Sequence, residues 1–154
     1  MLPKYGGGWT ECQVAELQNG SVLLTSRNFF GRNSGQGPRL FARSDDGGAT
    51  WADNWTAHDL PDPYCEGSVL SNPDIPGSLY FANPSTSNGK RYNMSLHASS
   101  DGGRTWTKSA IVYPGGSGYS DTAFTRNGSI AVFFEKDTYN TAAFTVVPPS
   151  ELNY

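Results

Sequence analysis

At 154 residues the chain has the length of one ordinary domain, and its net charge of -3 leaves no basic field for a polyanion, which argues against nucleic acid as a partner. Charged residues reach only 16%, whereas 18 glycines, 10 prolines and 13% aromatic residues favour short strands and many turns over long helices. No window of about 18 apolar residues occurs, so no membrane span is expected, and the opening MLPKYGGGWTECQ carries no apolar run of the kind a secretory leader needs.

Strand-like runs recur along the chain. Residues 14–17 and 22–26 flank Gln18-Asn19-Gly20-Ser21, and Asn-Gly between apolar runs is a strong two-residue hairpin signal. Further strands are predicted at 39–43, 51–60, 68–71, 78–82, 93–98, 107–113, 120–124, 130–134 and 142–147, with a second Asn-Gly turn at Asn127-Gly128. No stretch sustains a 3.6-residue period, so no helix of consequence is predicted.

The runs group into three units, 13–60, 66–113 and 118–150. The first two have four strands each, and in both the same string joins strands three and four. That string is SDDGGATW at 44–51 and SSDGGRTW at 99–106. In it the Asp accepts backbone N–H groups, the Gly permits a left-handed turn and the Trp covers apolar neighbours. The string reads as a hairpin fastener; it lacks the alternating oxygen ligands of a calcium loop. A period near 50 residues with four strands per period predicts an all-β chain of propeller blades. Three blades leave open edges, so the chain is expected to be part of a longer protein that lacks its N-terminal portion here.

The two strings resemble the Asp boxes of the sialidase (neuraminidase) superfamily. ECQVAELQNGSVLLTSRN (11–28) resembles the segment that carries that family's catalytic glutamate, and YCEGSV (64–69) its Cys-x-x-Ser strand. FANPSTSNGKRYNMSL (81–96) is similar to the stretch with a substrate-binding arginine, PGGSGYSDTAF (114–124) to the segment of the nucleophilic tyrosine, and VFFEKD (132–137) to a Tyr-Glu strand near the C-terminus. The resemblance spans about 11–147 and implies the C-terminal half of a six-bladed propeller, about three four-stranded blades, from an enzyme that removes terminal α-linked sialic acid from glycans with retention. It implies Tyr119 as nucleophile, Glu16 as its base, Arg32 and Arg91 as two of three arginines on the sugar carboxylate, and Glu135 as a support. Arg27, five residues before Arg32, and Arg39 compete with Arg32 for its role. The family's first arginine and its aspartate acid/base have no counterpart in this stretch, so the chain alone is expected to be inactive.

The chemistry favours such a set. Sialic acid carries a carboxylate on its anomeric carbon, which repels a carboxylate nucleophile but not a neutral phenol. With a pKa near 10 the phenol needs a base within about 2.6–3.2 Å; tyrosine-nucleophile sialidases are a known exception to the two-carboxylate rule. Arginine's planar fork suits a carboxylate.

A non-catalytic propeller that binds glycans or proteins is the reading from another class, and transfer of sialic acid shares the residues of hydrolysis. His58 and His97 lie far apart without metal-ligand spacing, so neither metal nor cofactor is expected. Cys12 and Cys65 either pair or stay free. Of the sequons at Asn19, Asn54, Asn93 and Asn127, the first and last are explained by their Asn-Gly turns, while Asn54 and Asn93 lean toward a lysosomal or secreted setting, with a cytoplasmic one left open.

Overall fold

The computed structural model describes residues 8–29, 39–137 and 139–152, and these are all-β. Ten strands follow in order: β1 Trp9–Glu16, β2 Val22–Asn28, β3 Arg39–Ser44, β4 Asp53–Ala57, β5 Ser68–Ser71, β6 Leu79–Pro84, β7 Tyr92–Ser99, β8 Thr107–Phe124, β9 Ile130–Lys136 and β10 Thr141–Val147. They form two antiparallel meanders, a four-stranded sheet β1-β2-β3-β4 and a six-stranded sheet β10-β9-β8-β7-β6-β5. A 3-10 turn covers Pro149–Glu151.

Most predicted strands appear within a few residues. The exception is β8, where the runs 107–113 and 120–124 are one strand. The intervening PGGSG reads as a turn, yet it stays extended. It pairs first with β7 (Tyr92 opposite Gly116) and then with β9 (Ser117 opposite Lys136). Its glycines serve close approach: a Cβ on Gly118 would overlap the Glu135 carboxylate and the Tyr139 ring. The expected boundary between the second and third units thus falls inside a single strand.

Two apolar cores meet at β6, which is buried along its whole length. Tyr80 and Ala82 face one core with Met94, Leu96, Ile130, Val132 and Phe134, while Leu79 and Phe81 face the other with Leu23, Phe41, Leu60 and Trp106. Alternation along one strand therefore makes β6 a shared wall.

The second repeat string is a buckle between the sheets. Ser99 Oγ donates to Asp101 at 2.8 Å and accepts from the Gly103 amide at 2.9 Å, and Asp101 also accepts from the Arg104 and Thr105 amides. The Trp106 amide donates to Asp59 at 2.6 Å, and Trp55 Nε1 donates to Gly103 O at 3.0 Å. The Trp106 ring stacks on Phe41, centroids 5.6 Å apart, and meets Phe81 edge-on. The first string makes the same internal bonds, from Ser44, Gly48 and Thr50 to one another and Asp46, but its Trp51 is only half-buried.

Candidate active site

The seam between the sheets gathers the polar groups. Tyr119 leaves β8 where the register with β9 slips between Ser117 and Ser120. The slip frees two consecutive amides from the ladder, and carboxylates take them. Glu135 Oε2 accepts from the Tyr119 amide and Glu66 Oε2 from the Ser120 amide, each at 2.9 Å. Glu66 also receives Gln13 Nε2 at 3.4 Å, while Gln13 Oε1 accepts from the Val69 amide at 3.0 Å, which ties β1 to β5 and β8. Burial pushes the Glu66 carboxyl above its ordinary value despite the bond from Ser120.

The Tyr119 ring is 37% exposed, and its hydroxyl donates to Glu11 Oε1. Glu11 Oε2 accepts from Arg27 Nη1 at 2.6 Å, and the same nitrogen lies 3.3 Å from the Tyr119 oxygen. Glu11 sits on a bulge of β1, φ +48°, with the register shifting between Thr10 and Cys12. The bulge re-aims its side chain across the seam. Arg91 donates to Tyr64 O at 2.8 Å and to the Tyr139 hydroxyl at 3.2 Å, and its guanidinium is 5.8 Å from the centre of the Tyr119 ring. Beside Arg91 lies a cavity of about 410 Å³ bounded by Gly89, Lys90, Gly116, Ser117 and Tyr139.

The charges act on one another. Burial, then the hydrogen bond to Glu11 and its negative charge, push the Tyr119 phenol up to about 12, against the pull of Arg27 and Arg91. Burial raises the Glu11 carboxyl, but hydrogen bonds from Arg27 and Tyr119 and both guanidinium charges outweigh it and hold the group below its ordinary value. At neutral pH the pair therefore rests as phenol and carboxylate with one shared proton between them.

Of the residues singled out in the sequence, Tyr119, Arg91 and Glu135 are brought together. Glu16 is not among them. Glu16 lies exposed at the far end of β1, opposite Val22, five residues and about 16 Å of strand from Glu11. Arg32 lies outside the described residues. The guanidinium on the β1–β2 side is Arg27, while Arg39 is fully buried with Asp62. Glu11, Tyr64, Glu66 and Tyr139 were not foreseen. Glu11 opens the quoted ECQVAE string, but its apolar pattern points inward at Val14, which is 60% exposed. Cys12 and Cys65 are both free, Cys12 exposed and Cys65 buried.

The BNR repeat-like domain family matches residues 4–132, and the chain belongs to this family. It is 32% identical over 140 residues to a sialidase from Micromonospora viridifaciens, covering 86% of this chain and 21% of that protein. Its fold is similar to the intramolecular trans-sialidase of Ruminococcus gnavus solved with oseltamivir carboxylate (TM-score 0.72, 20% identity, 99% of this chain and 35% of that one). It is similar too to an α-L-arabinanase of Penicillium chrysogenum (TM-score 0.71, 20% identity, 92% and 46%). The chain spans 18–24% of the length of the curated relatives it matches. The sheets are thus a scaffold shared by different glycosidases, and the chemistry has to be argued from the site.

Proposed function

We propose that this chain carries the nucleophile side of an exo-α-sialidase site, within a six-bladed propeller. The observation that supports it best is the hydrogen bond from Tyr119 to Glu11 beside two guanidinium groups, because a module that only binds has no use for a phenol with a base on its proton. A terminal sialic acid lays its C1 carboxylate against Arg27 and Arg91, in the fork geometry that guanidinium offers. That carboxylate offsets the two positive charges that now hold Glu11 acidic, so substrate binding itself makes Glu11 a stronger base. Glu11 takes the phenolic proton as the Tyr119 oxygen bonds to the anomeric carbon and the glycan oxygen departs with its electron pair. Water then attacks the anomeric carbon of this aryl ketoside from the face that the glycan left, the Tyr119 oxygen departs with the bonding pair and recovers its proton from Glu11, and Glu135 and Glu66 hold the backbone at Tyr119 and Ser120 throughout. The arginines also stabilise the persistent negative charge while the ring becomes oxocarbenium-like.

The reading calls for an acid on the leaving oxygen and a further arginine, so the 154-residue chain alone is expected to turn over sialosides far more slowly than the full-length protein. The test is a fluorogenic sialoside assay on the full-length protein with Tyr119→Phe beside it. A loss of at least about 10²-fold in kcat is expected, since base-assisted attack contributes that much or more. Activity unchanged in the Phe variant overturns the nucleophile assignment. Sialoside binding with no turnover in the wild type favours the non-catalytic reading.

A further inference from the structure

Two cations in one pocket repel each other, and the Glu11 carboxylate, 2.6 Å from Arg27, offsets one of them. Arg91 is in no ion pair among the described residues. Tyr64 serves both arginines without a charge. Its ring lies under the Arg27 guanidinium, 3.6 Å from the ring centre, and its carbonyl oxygen accepts from Arg91 Nη2 at 2.8 Å. The face of a phenol ring and a carbonyl oxygen both present negative potential while leaving the net positive charge in place.

Tyr64 achieves this in a costly conformation. Its φ is +59°, a left-handed position that bulky residues avoid. What holds it is a buried clamp beneath the loop. Arg39, fully buried, donates to Asp62 Oδ2 at 3.1 Å, to Cys65 O at 2.6 Å, to Gly67 O at 3.3 Å and to Thr25 Oγ1 at 3.0 Å. Asp62 Oδ1 accepts from the Cys65 amide at 3.0 Å. The ion pair is fully hydrogen-bonded, as a buried pair must be. Gly67 lets the loop lie on Phe81 and Ala82 O, where a Cβ would collide with both.

We infer that Tyr64 is a positioning residue that sets the spacing and orientation of Arg27 and Arg91 for a carboxylate, with Arg39 and Asp62 keeping its backbone in the left-handed turn. This rests on the sialic-acid reading and names the part of the site that selects the acid group. Tyr64 touches no reacting atom; it acts through the two arginines.

The experiment titrates 2,3-didehydro-N-acetylneuraminic acid and its C1 methyl ester, by calorimetry, into the full-length wild type, Tyr64→Phe and Tyr64→Asn. Asn tolerates the left-handed turn but has no ring, so Tyr64→Asn is expected to melt no lower than wild type. Its affinity for the acid is expected to fall roughly five- to thirtyfold, the size of one lost cation–π contact, with the ester unaffected. Tyr64→Phe keeps both the ring and the carbonyl and is expected to bind like wild type. Equal acid affinity in Tyr64→Asn, or equal losses for acid and ester, overturns the positioning role. A wild type that binds neither probe overturns the sialic-acid reading and this inference with it, whereas a wild type that binds the acid separates the two.

Discussion

Glu11 and Glu16 stand five residues apart in ECQVAE, on one strand, and only the first reaches Tyr119. In the full-length protein, Glu11→Gln is expected to lower kcat/KM about 10²- to 10⁴-fold, the usual contribution of a general base, while Glu16→Gln stays within about twofold. Equal losses would remove Glu11 from the chemistry. The charge coupling adds a pH test. Glu11 is held below its ordinary value partly by Arg27, so it stays ionised to lower pH than a free carboxyl. Replacing Arg27 with Gln removes a hydrogen bond and a charge that favour the ionised form, so the Glu11 pKa rises and protonation begins at higher pH. A ¹³C carboxyl titration of Glu11 reads this directly, and an unmoved or lowered midpoint in Arg27→Gln contradicts the coupling. Sequence alone did not separate the two glutamates because a bulge at Glu11, φ +48°, breaks the two-residue alternation on which a facing argument depends. A bulge is a backbone event with no residue type of its own. The two-arginine ambiguity had a similar source, since only the path of β2 puts Arg27 beside Glu11. Tyr119 was legible because its surrounding string is distinctive, and Glu66 was not, because an isolated Glu in a loop shows nothing of the amides it will meet.

At the scale of elements, turn chemistry was the most readable part. Asn-Gly at both hairpins and the two Ser-x-Asp-x-Gly-x-x-Trp strings mark local structure that needs few distant contacts, and the turns formed at the predicted places, although the Asn-Gly turns are three-residue loops in which Gly20 and Gly128, and not the asparagines, take positive φ. The long β8 was missed because glycines that serve close packing look identical to glycines that serve a bend. The two strings also differ in what they fasten. Asp101 holds a loop whose Trp106 is nearly buried against the other sheet, whereas Asp46 holds one whose Trp51 is half-buried. Asp101→Ala is therefore expected to cost about 1 kcal/mol, the size of a lost cap, with Asp46→Ala costing less, as read by urea melts at pH 7. Both carboxyls sit below their ordinary value. For Asp101, burial opposes the shift and bonds from Thr105, Ser99 and Arg104 win; for Asp46, bonds from Thr50 and Ser44 carry it to about 2. A depressed native value means the stabilisation is complete above the unfolded pKa near 3.9 and fades as pH falls through the native one. The difference between wild type and Asp101→Ala should accordingly shrink below about pH 4. A difference that persists undiminished at pH 2 would show that the carboxylate charge is not what the loop uses.

For the whole molecule, the site depends on two sheets that share one wall. Glu11 and Arg27 belong to the four-stranded sheet, Tyr119, Glu135 and Arg91 to the six-stranded sheet or its edge, and the hydrogen bond between Glu11 and Tyr119 exists only while the seam is closed. Phe81 on β6 is the residue through which the seam is held. It is fully buried, it meets Phe41 from one sheet and Trp106 from the buckle, with centroids 6.4 and 5.9 Å away, and it lies under Arg39 at 4.8 Å. Truncation to Ala removes the ring from a core that both sheets line and should cost about 3–5 kcal/mol, the usual range for a buried Phe. Because β6 also faces the second core through Tyr80 and Ala82, the loss is shared rather than confined. The expected result for Phe81→Ala is one cooperative transition at lower temperature, with Tyr119-dependent activity disappearing along the same curve. Two separate transitions, with activity surviving the first, would mean that the sheets are independent units and that the seam is held from elsewhere.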